Sequence, residues 1–366
     1  MPENVLLEHR PLDTHLHGAR AWWVRYRSHD LHGNSTESTG FIVAPDAPAS
    51  AAEQRRVMTW CHGTTALGDA GCPSAQPNPV AELRTYFESG SQTQIDYGVP
   101  GIQQFIDEGW VVCATDYQGL GTEGRHQYTV NRTNAIDAVR IVHAARELPI
   151  AASDRFGAMG WSQGGGAAAA VAELSEEDFA GLTPVGVVAM SPGVPISALR
   201  VPTGLGAAMT SGAVPPDGHL FMNLAGIQAA FPAELSLSDV FTEVGVRIHK
   251  ENWNTQPVHH LSDILERANS HEGPVMSINT EKLPHWMKAM TEASASRDVA
   301  RCPVWVAIDA QHDGSVIPVS WQEQYIADAR ALGGDVTSVT YPDDDHFSLP
   351  QRCVSDARTW LTECYN

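Results

Sequence analysis

The sequence predicts an α/β fold in which a mostly parallel central sheet is flanked by helices and carries a helical insertion. Three observations predict it. Short β-rich segments alternate with helical ones along most of the chain, as a parallel sheet covered on both faces requires. The run Gly160-Trp161-Ser162-Gln163-Gly164 spells G-x-S-x-G where a short strand gives way to a helix of small residues. From about residue 195 to 296 the alternation stops, and helix-like apolar patterns with many Gly and Pro replace it.

The predicted strands are residues 40–43, 57–61, 110–115, 155–159, 185–190, 304–308 and 336–340. Between them Ala135, Ala138, Val139 and Val142 recur at i, i+3, i+4 and i+7, the spacing of one buried helix stripe. Cys353, Val354, Ala357, Trp360 and Leu361 repeat that pattern near the carboxyl end. The Gly/Ala run at residues 164–170 lets its helix press closely on the sheet. Residues 1–194 and 297–366 are therefore read as one core, and 195–296 as a cap or lid over it. A second excursion, residues 65–99, is rich in Pro, Gly, Ser and Gln and is expected to form pocket rim, since binding surfaces concentrate in such segments. Phe221, Met222, Phe231 and Trp253 hint at an apolar cap interior, although the same residues would pack any helical core.

With 366 residues, 43% of them hydrophobic, the chain can bury a sizeable core. A formal charge of −20 argues against nucleic acid as a partner, because phosphate binding needs clustered Lys and Arg, and it disfavours anionic membranes. No apolar run approaches the ~20 residues of a membrane span. Met1-Pro2-Glu3-Asn4 lacks the basic-then-apolar layout of a secretory signal, which points to the cytoplasm if Met1 is the native start and to secretion if a leader has been removed. Cys61 could pair with Cys72, and Cys353 with Cys364, whereas Cys113 and Cys302 read as buried free thiols. His259-His260 and His271-Glu272 lack metal-ligand spacing, so no metal is expected.

A serine hydroxyl needs a base within hydrogen-bond reach and a carboxylate to orient that base. Ser162 sits on a tight strand-to-helix elbow that lifts its hydroxyl clear of the backbone. His346, in Asp343-Asp344-Asp345-His346-Phe347, follows the last predicted strand and is the base. Asp313, on the loop after residues 304–308, is the acid, with Asp309 in contention nearer the strand end. The order Ser, acid, His is that of an α/β-hydrolase, and all three fall at the carboxyl edge of a parallel sheet. The oxyanion donors are the backbone N–H of Gln163, at a helix amino terminus, and that of Thr64 in His62-Gly63-Thr64-Thr65. His62 is read as fixing its loop. Trp161, Thr65 and Trp321 are expected to border the substrate pocket.

These residues resemble the secretory lipase family of α/β-hydrolases from bacteria and fungi. The resemblance rests on Tyr26-Arg27-Ser28 with Ser38-Thr39-Gly40, on His62-Gly63-Thr64 with Cys72-Pro73-Ser74, on Asp116-Tyr117-Gln118-Gly119-Leu120-Gly121, and on Gly160-Trp161-Ser162-Gln163-Gly164-Gly165 with the loops of Asp313 and His346. It implies ester hydrolysis without a cofactor, a helical lid over an acyl pocket, and a small-molecule or lipid ester as substrate. It also implies that Asp116, when protonated, helps form the oxyanion hole; from the residues alone Asp116 could equally be a structural acceptor at a strand end. The stretch from Asp313 to Pro318 is one residue longer than the family pattern, which keeps Asp309 in contention.

The leading expectation is a serine carboxylic ester hydrolase working through an acyl-enzyme, with activity falling below roughly pH 6–7, the unperturbed histidine range. Acyl transfer or peptide cleavage on the same residues is the alternative within enzymes. A binding protein on a hydrolase scaffold is the alternative outside them, because fold alone does not fix function.

Overall fold

The computed structural model describes residues 4–49, 54–89, 91–202, 204–211, 214, 216–311 and 316–366. Strands β1 (Leu6–Leu12), β2 (Ala19–His29), β3 (Ser35–Pro45), β4 (Arg55–Cys61), β5 (Val111–Thr115), β6 (Ala152–Trp161), β7 (Thr183–Met190), β8 (Val304–Asp309) and β9 (Val336–Tyr341) form one sheet in the order β1-β2-β3-β5-β4-β6-β7-β8-β9. Strands β1, β2 and β3 pair antiparallel, and β3 joins β5 antiparallel. From β5 through β4, β6, β7 and β8 to β9 every pairing is parallel. The parallel part thus delivers the carboxyl ends of its strands to a single edge, where ligands of such sheets bind.

Each strand read from the sequence is present. The reading missed β1, β2 and the first half of β3. β1 is a largely exposed edge strand of mixed charge, with no clean alternation to mark it. β2 did carry a signal: Val24, Tyr26 and Ser28 are buried at period two between Arg25 and Arg27.

The helices α1 (Ile102–Asp107), α2 (Asn131–Glu147), α3 (Gln163–Val171) and α4 (Glu176–Phe179) precede β7. Between β7 and β8 run α5 (Pro195–Arg200), α6 (Leu205–Ser211), α7 (Gly218–Ala230), α8 (Glu243–Asn252), α9 (Val258–His271) and α10 (Leu283–Ala293). α11 (Val319–Ala331) and α12 (Leu349–Tyr365) close the chain. On one sheet face the α2 stripe Ala135, Ala138, Val139 and Val142 packs with Ala167, Ala168, Ala170 and Val171 of α3 against Ile42, Val57 and Val187. On the other, Ile102, Phe105, Cys353, Ala357 and Leu361 from α1 and α12 cover Met58, Val112 and Val188. Both faces of β5 and β8 are buried, which is why they read as unbroken apolar runs.

The segment between β7 and β8 builds an apolar cluster of its own around Phe221, Leu224, Ile227, Leu261 and Trp286. Phe221 stacks on Phe241 with centroids 4.0 Å apart, and burying each such ring stabilises by about 1.5–3 kcal/mol. Phe221, Met222 and Phe231 are packed inside this cluster, with Trp253 against its edge.

The two cysteine pairings weighed from the sequence are absent, because all six thiols are free. Cys61, Cys72, Cys113, Cys302 and Cys353 are buried, and desolvation pushes the thiols of Cys61 and Cys302 up to about 12, so they act as small apolar groups. Among the described residues no helix is long and apolar enough to cross a membrane. No cluster of His, Cys, Asp or Glu among them is arranged to hold a metal ion.

Candidate active site

Ser162 stands between β6 and α3 with φ 60° and ψ −119°, a left-handed backbone that L residues rarely adopt. The strain is held from several sides. Ser162 N–H donates to Met190 O at 3.0 Å, and its own carbonyl accepts from Gly166 and Gly193 at 3.1 and 2.9 Å. The flanking glycines follow from contact: a Cβ on Gly160 would lie 2.1 Å from Gly164 O. Ser162 is 4% exposed, so its hydroxyl faces a nearly dry site.

His346 lies in the loop between β9 and α12 and is buried. Its Nε2 is 3.0 Å from Ser162 Oγ and accepts the hydroxyl proton when Nδ1 carries the ring hydrogen. Among the described residues Ser191 Oγ lies 3.0 Å from Nδ1 and Asp309 Oδ2 3.6 Å from it. Trp161 braces this loop by donating its indole N–H to His346 O at 2.9 Å.

Asp309 ends β8, is 1% exposed, and accepts a hydrogen bond from Gln322 of α11 at 2.7 Å. Asp313 lies outside the described residues. The segment leading toward it runs alongside the His346 loop: Ala310 N–H donates to Tyr341 O and Gln311 N–H to Asp344 O, both at 3.2 Å. Ser191 was not singled out in the sequence. Its position directly after a predicted strand, at the edge that holds Ser162, was the available signal.

Thr64 lies in the loop after β4, and Gln163 follows the serine directly. Thr64 Oγ1 bonds Tyr128 OH at 2.7 Å, and either hydroxyl can be the donor. Gln163 opens α3, where the first backbone N–H groups have no carbonyl inside the helix. Its side chain is fixed as well: Nε2 donates to Asn134 Oδ1 at 3.1 Å and to His126 Nε2 at 2.8 Å. His126 in turn donates through Nδ1 to Gln118 O at 3.0 Å, and burial lowers its pKa to about 3, so it stays neutral and able to accept. No local pattern marked His126, Asn134 or Tyr128 for these contacts.

The carboxylate of Asp116 is turned to Thr39 and Ser74. It accepts from Thr39 Oγ1–H at 2.7 Å, from Ser74 N–H at 2.8 Å, and from the Ser74 hydroxyl. These contacts tie the Cys72-Pro73-Ser74 turn to the sheet; burial raises the Asp116 pKa, while the three donors and His62 oppose the rise. His62 bridges Gly63 O and Asp116 O, at 2.6 and 3.1 Å, and so fixes its loop. A Cβ on Gly63 would meet the Trp161 ring at 2.8 Å, so that loop lies flat on the indole.

Of the expected pocket residues, Trp161 is buried beside His346, with ring centroids 5.2 Å apart. Thr65 is buried, and its carbonyl takes the N–H of Val258 at the start of α9, tying that helix to the loop after β4. Trp321 packs against the apolar cluster of the segment between β7 and β8.

The rim turn at Tyr86 depends on a buried carboxylate. Asp96 Oδ1 accepts the Tyr86 N–H at 2.8 Å, and desolvation raises its pKa from 3.8 to about 7. Between those values the folded protein keeps a proton that the unfolded chain releases, so this group's contribution to stability falls as pH rises from about 4 to about 7. Asp96→Asn should therefore gain in melting temperature relative to the wild type as pH rises through that window, then level off. A difference independent of pH would contradict this placement.

The sequence profile of the secretory lipase family matches residues 83–213, from the rim loop through Ser162 into α6 and just past it. The chain resembles the secretory lipases. No curated protein matches it in sequence. In solved structures, the rice cell wall degrading esterase LipA from Xanthomonas oryzae is 14% identical with TM-score 0.72, covering 99% of each chain. Candida antarctica lipase A in its closed state is 14% identical with TM-score 0.73, covering 99% of this chain and 82% of its own. A putative hydrolase from Legionella pneumophila is 15% identical with TM-score 0.68, covering 98% of both. Identities this low report on fold, and the fold is that of the α/β-hydrolases. Together with the secretory lipase match they support a hydrolase of the carboxylesterase and lipase type.

Proposed function

We propose that the protein hydrolyses carboxylic esters through a serine acyl-enzyme. The observation that carries this reading is the 3.0 Å contact between Ser162 Oγ and His346 Nε2, with both side chains buried at the carboxyl edge of the sheet. Ser162 Oγ bonds to the ester carbonyl carbon as its proton passes to His346 Nε2. The oxyanion is met by the backbone N–H groups of Gln163 and Thr64, the former helped by the α3 dipole. Nε2 then returns the proton to the alcohol oxygen as the carbonyl carbon–oxygen bond breaks. Water, deprotonated by the same imidazole, releases the acid. The triad is completed by a carboxylate of the loop after β8.

Asp313 takes that part on its sequence pattern. Asp309 Oδ2 stands 3.6 Å from Nδ1, farther than the Ser191 hydroxyl at 3.0 Å. Asp313→Asn should lower kcat on the order of 10⁴-fold, and Asp309→Asn by a smaller factor. The reverse order would transfer the acid role to Asp309.

A fluorophosphonate should form one adduct per chain, on Ser162, and p-nitrophenyl acetate should be turned over. A protein that is folded yet takes up no label would be a binding protein on this scaffold.

A further inference from the structure

In the proposed reaction His346 Nε2 hands its proton to the departing alcohol, so the alcohol group of the ester must lie against that imidazole. Two of the side chains beside the imidazole are aromatic. Trp161 lies 5.2 Å from it and Phe347 5.5 Å, edge to face. Phe347 meets Phe87 edge to face at 5.0 Å. Phe87 packs on Tyr86 at 3.7 Å, and Tyr86 stacks on His259 at 3.5 Å with planes 23° apart. The strip so formed joins three separate parts of the chain: the rim loop, the histidine loop, and the first turn of α9.

Two features of the strip call for an occupant. Phe87 is 61% exposed, the most exposed large hydrophobic side chain among the described residues, and it stands where the strip reaches solvent. His259 Nε2 is buried and has no hydrogen-bond partner. Such a group is normally satisfied by protein, water or ligand. Burial lowers the His259 pKa to about 4, with like charge on His219 and His260 adding to the effect, so the ring is neutral near pH 7. His219, at the start of α7, interacts electrostatically with both His346 and His259, is lowered by burial, and is raised only by Asp217. The strip therefore presents uncharged rings from the catalytic imidazole outward.

We infer that the strip Phe347, Phe87, Tyr86 and His259 is the alcohol subsite, and that it selects esters of aromatic alcohols over alkyl ones. Aromatic pairs in edge or offset geometry gain beyond their buried area. This inference rests on the Ser162–His346 reading. The test compares benzyl acetate with n-butyl acetate, which share the acyl group and depart with alcohols of similar basicity. Wild-type kcat/KM should favour the benzyl ester about tenfold. Phe87→Ala should collapse that ratio, mainly through the KM for benzyl acetate, and Phe87→Trp should restore it. As Phe87 is largely exposed, its truncation leaves the core untouched. A ratio unchanged in Phe87→Ala, with Ser162 still labelled by fluorophosphonate, would overturn the subsite alone. No hydrolysis and no labelling would overturn the reaction it rests on.

Discussion

Ser162→Ala should lower kcat for p-nitrophenyl acetate on the order of 10⁶-fold while leaving the melting temperature unchanged. The hydroxyl bonds His346 Nε2 and makes no capping bond to α3, so its removal takes away the nucleophile without loosening the helix. What remains is stabilisation of the oxyanion by backbone donors, which sustains only a residual rate above the uncatalysed one. His346→Ala should cost about as much, because the two side chains act as one unit. If the alanine variant at 162 kept more than about a hundredth of wild-type kcat, the acyl-enzyme mechanism would be wrong.

Gly164→Ala should be the most damaging change of a single methyl group in the molecule. An added Cβ would lie 1.9 Å from Cys61 O, 2.4 Å from Cys61 C and 2.5 Å from His62 O. All three are backbone atoms at the end of β4 and in the loop beyond it, and none can rotate away. Either α3 lifts from the sheet or β4 and its loop retreat. Overpacking of a yielding core costs about 1–3 kcal/mol, and rigid neighbours put this site at or above the upper limit. The same loop carries Thr64, so activity should fall together with stability. A Gly164→Ala protein with wild-type melting temperature and wild-type kcat would show that the elbow is looser than its contacts imply.

The inner parallel strands were legible because they are buried on both faces and so must be apolar at nearly every position, as in Val304-Trp305-Val306-Ala307-Ile308. The serine and histidine were legible for a related reason. The elbow demands glycines at fixed offsets, and a loop at the strand-end edge carried a histidine in the right chain order. Ser191 as a partner of Nδ1, and the partners of Gln163, were not picked out from the sequence. Ser191 reaches His346 across 155 residues of sequence, and His126 reaches Gln163 across 37. Only a place just after a strand marked Ser191, and nothing near His126 records its meeting with Gln163. Asp116 shows the converse: its motif drew notice, and its contacts with Thr39 and Ser74 supply a structural reason for it.

By itself the sequence determined the layered sheet, the strained elbow, and the pairing of a nucleophile with an imidazole. Those follow from local steric demands and from the periodicity of burial, which each segment carries within itself. Only the tertiary structure decided that the six thiols stay free, that Ser191 and Asp309 share the far side of the imidazole, and that Phe87, Phe347 and His259 make one aromatic strip. These depend on which distant segments the closed sheet brings within a few ångströms, and chain order does not encode that distance.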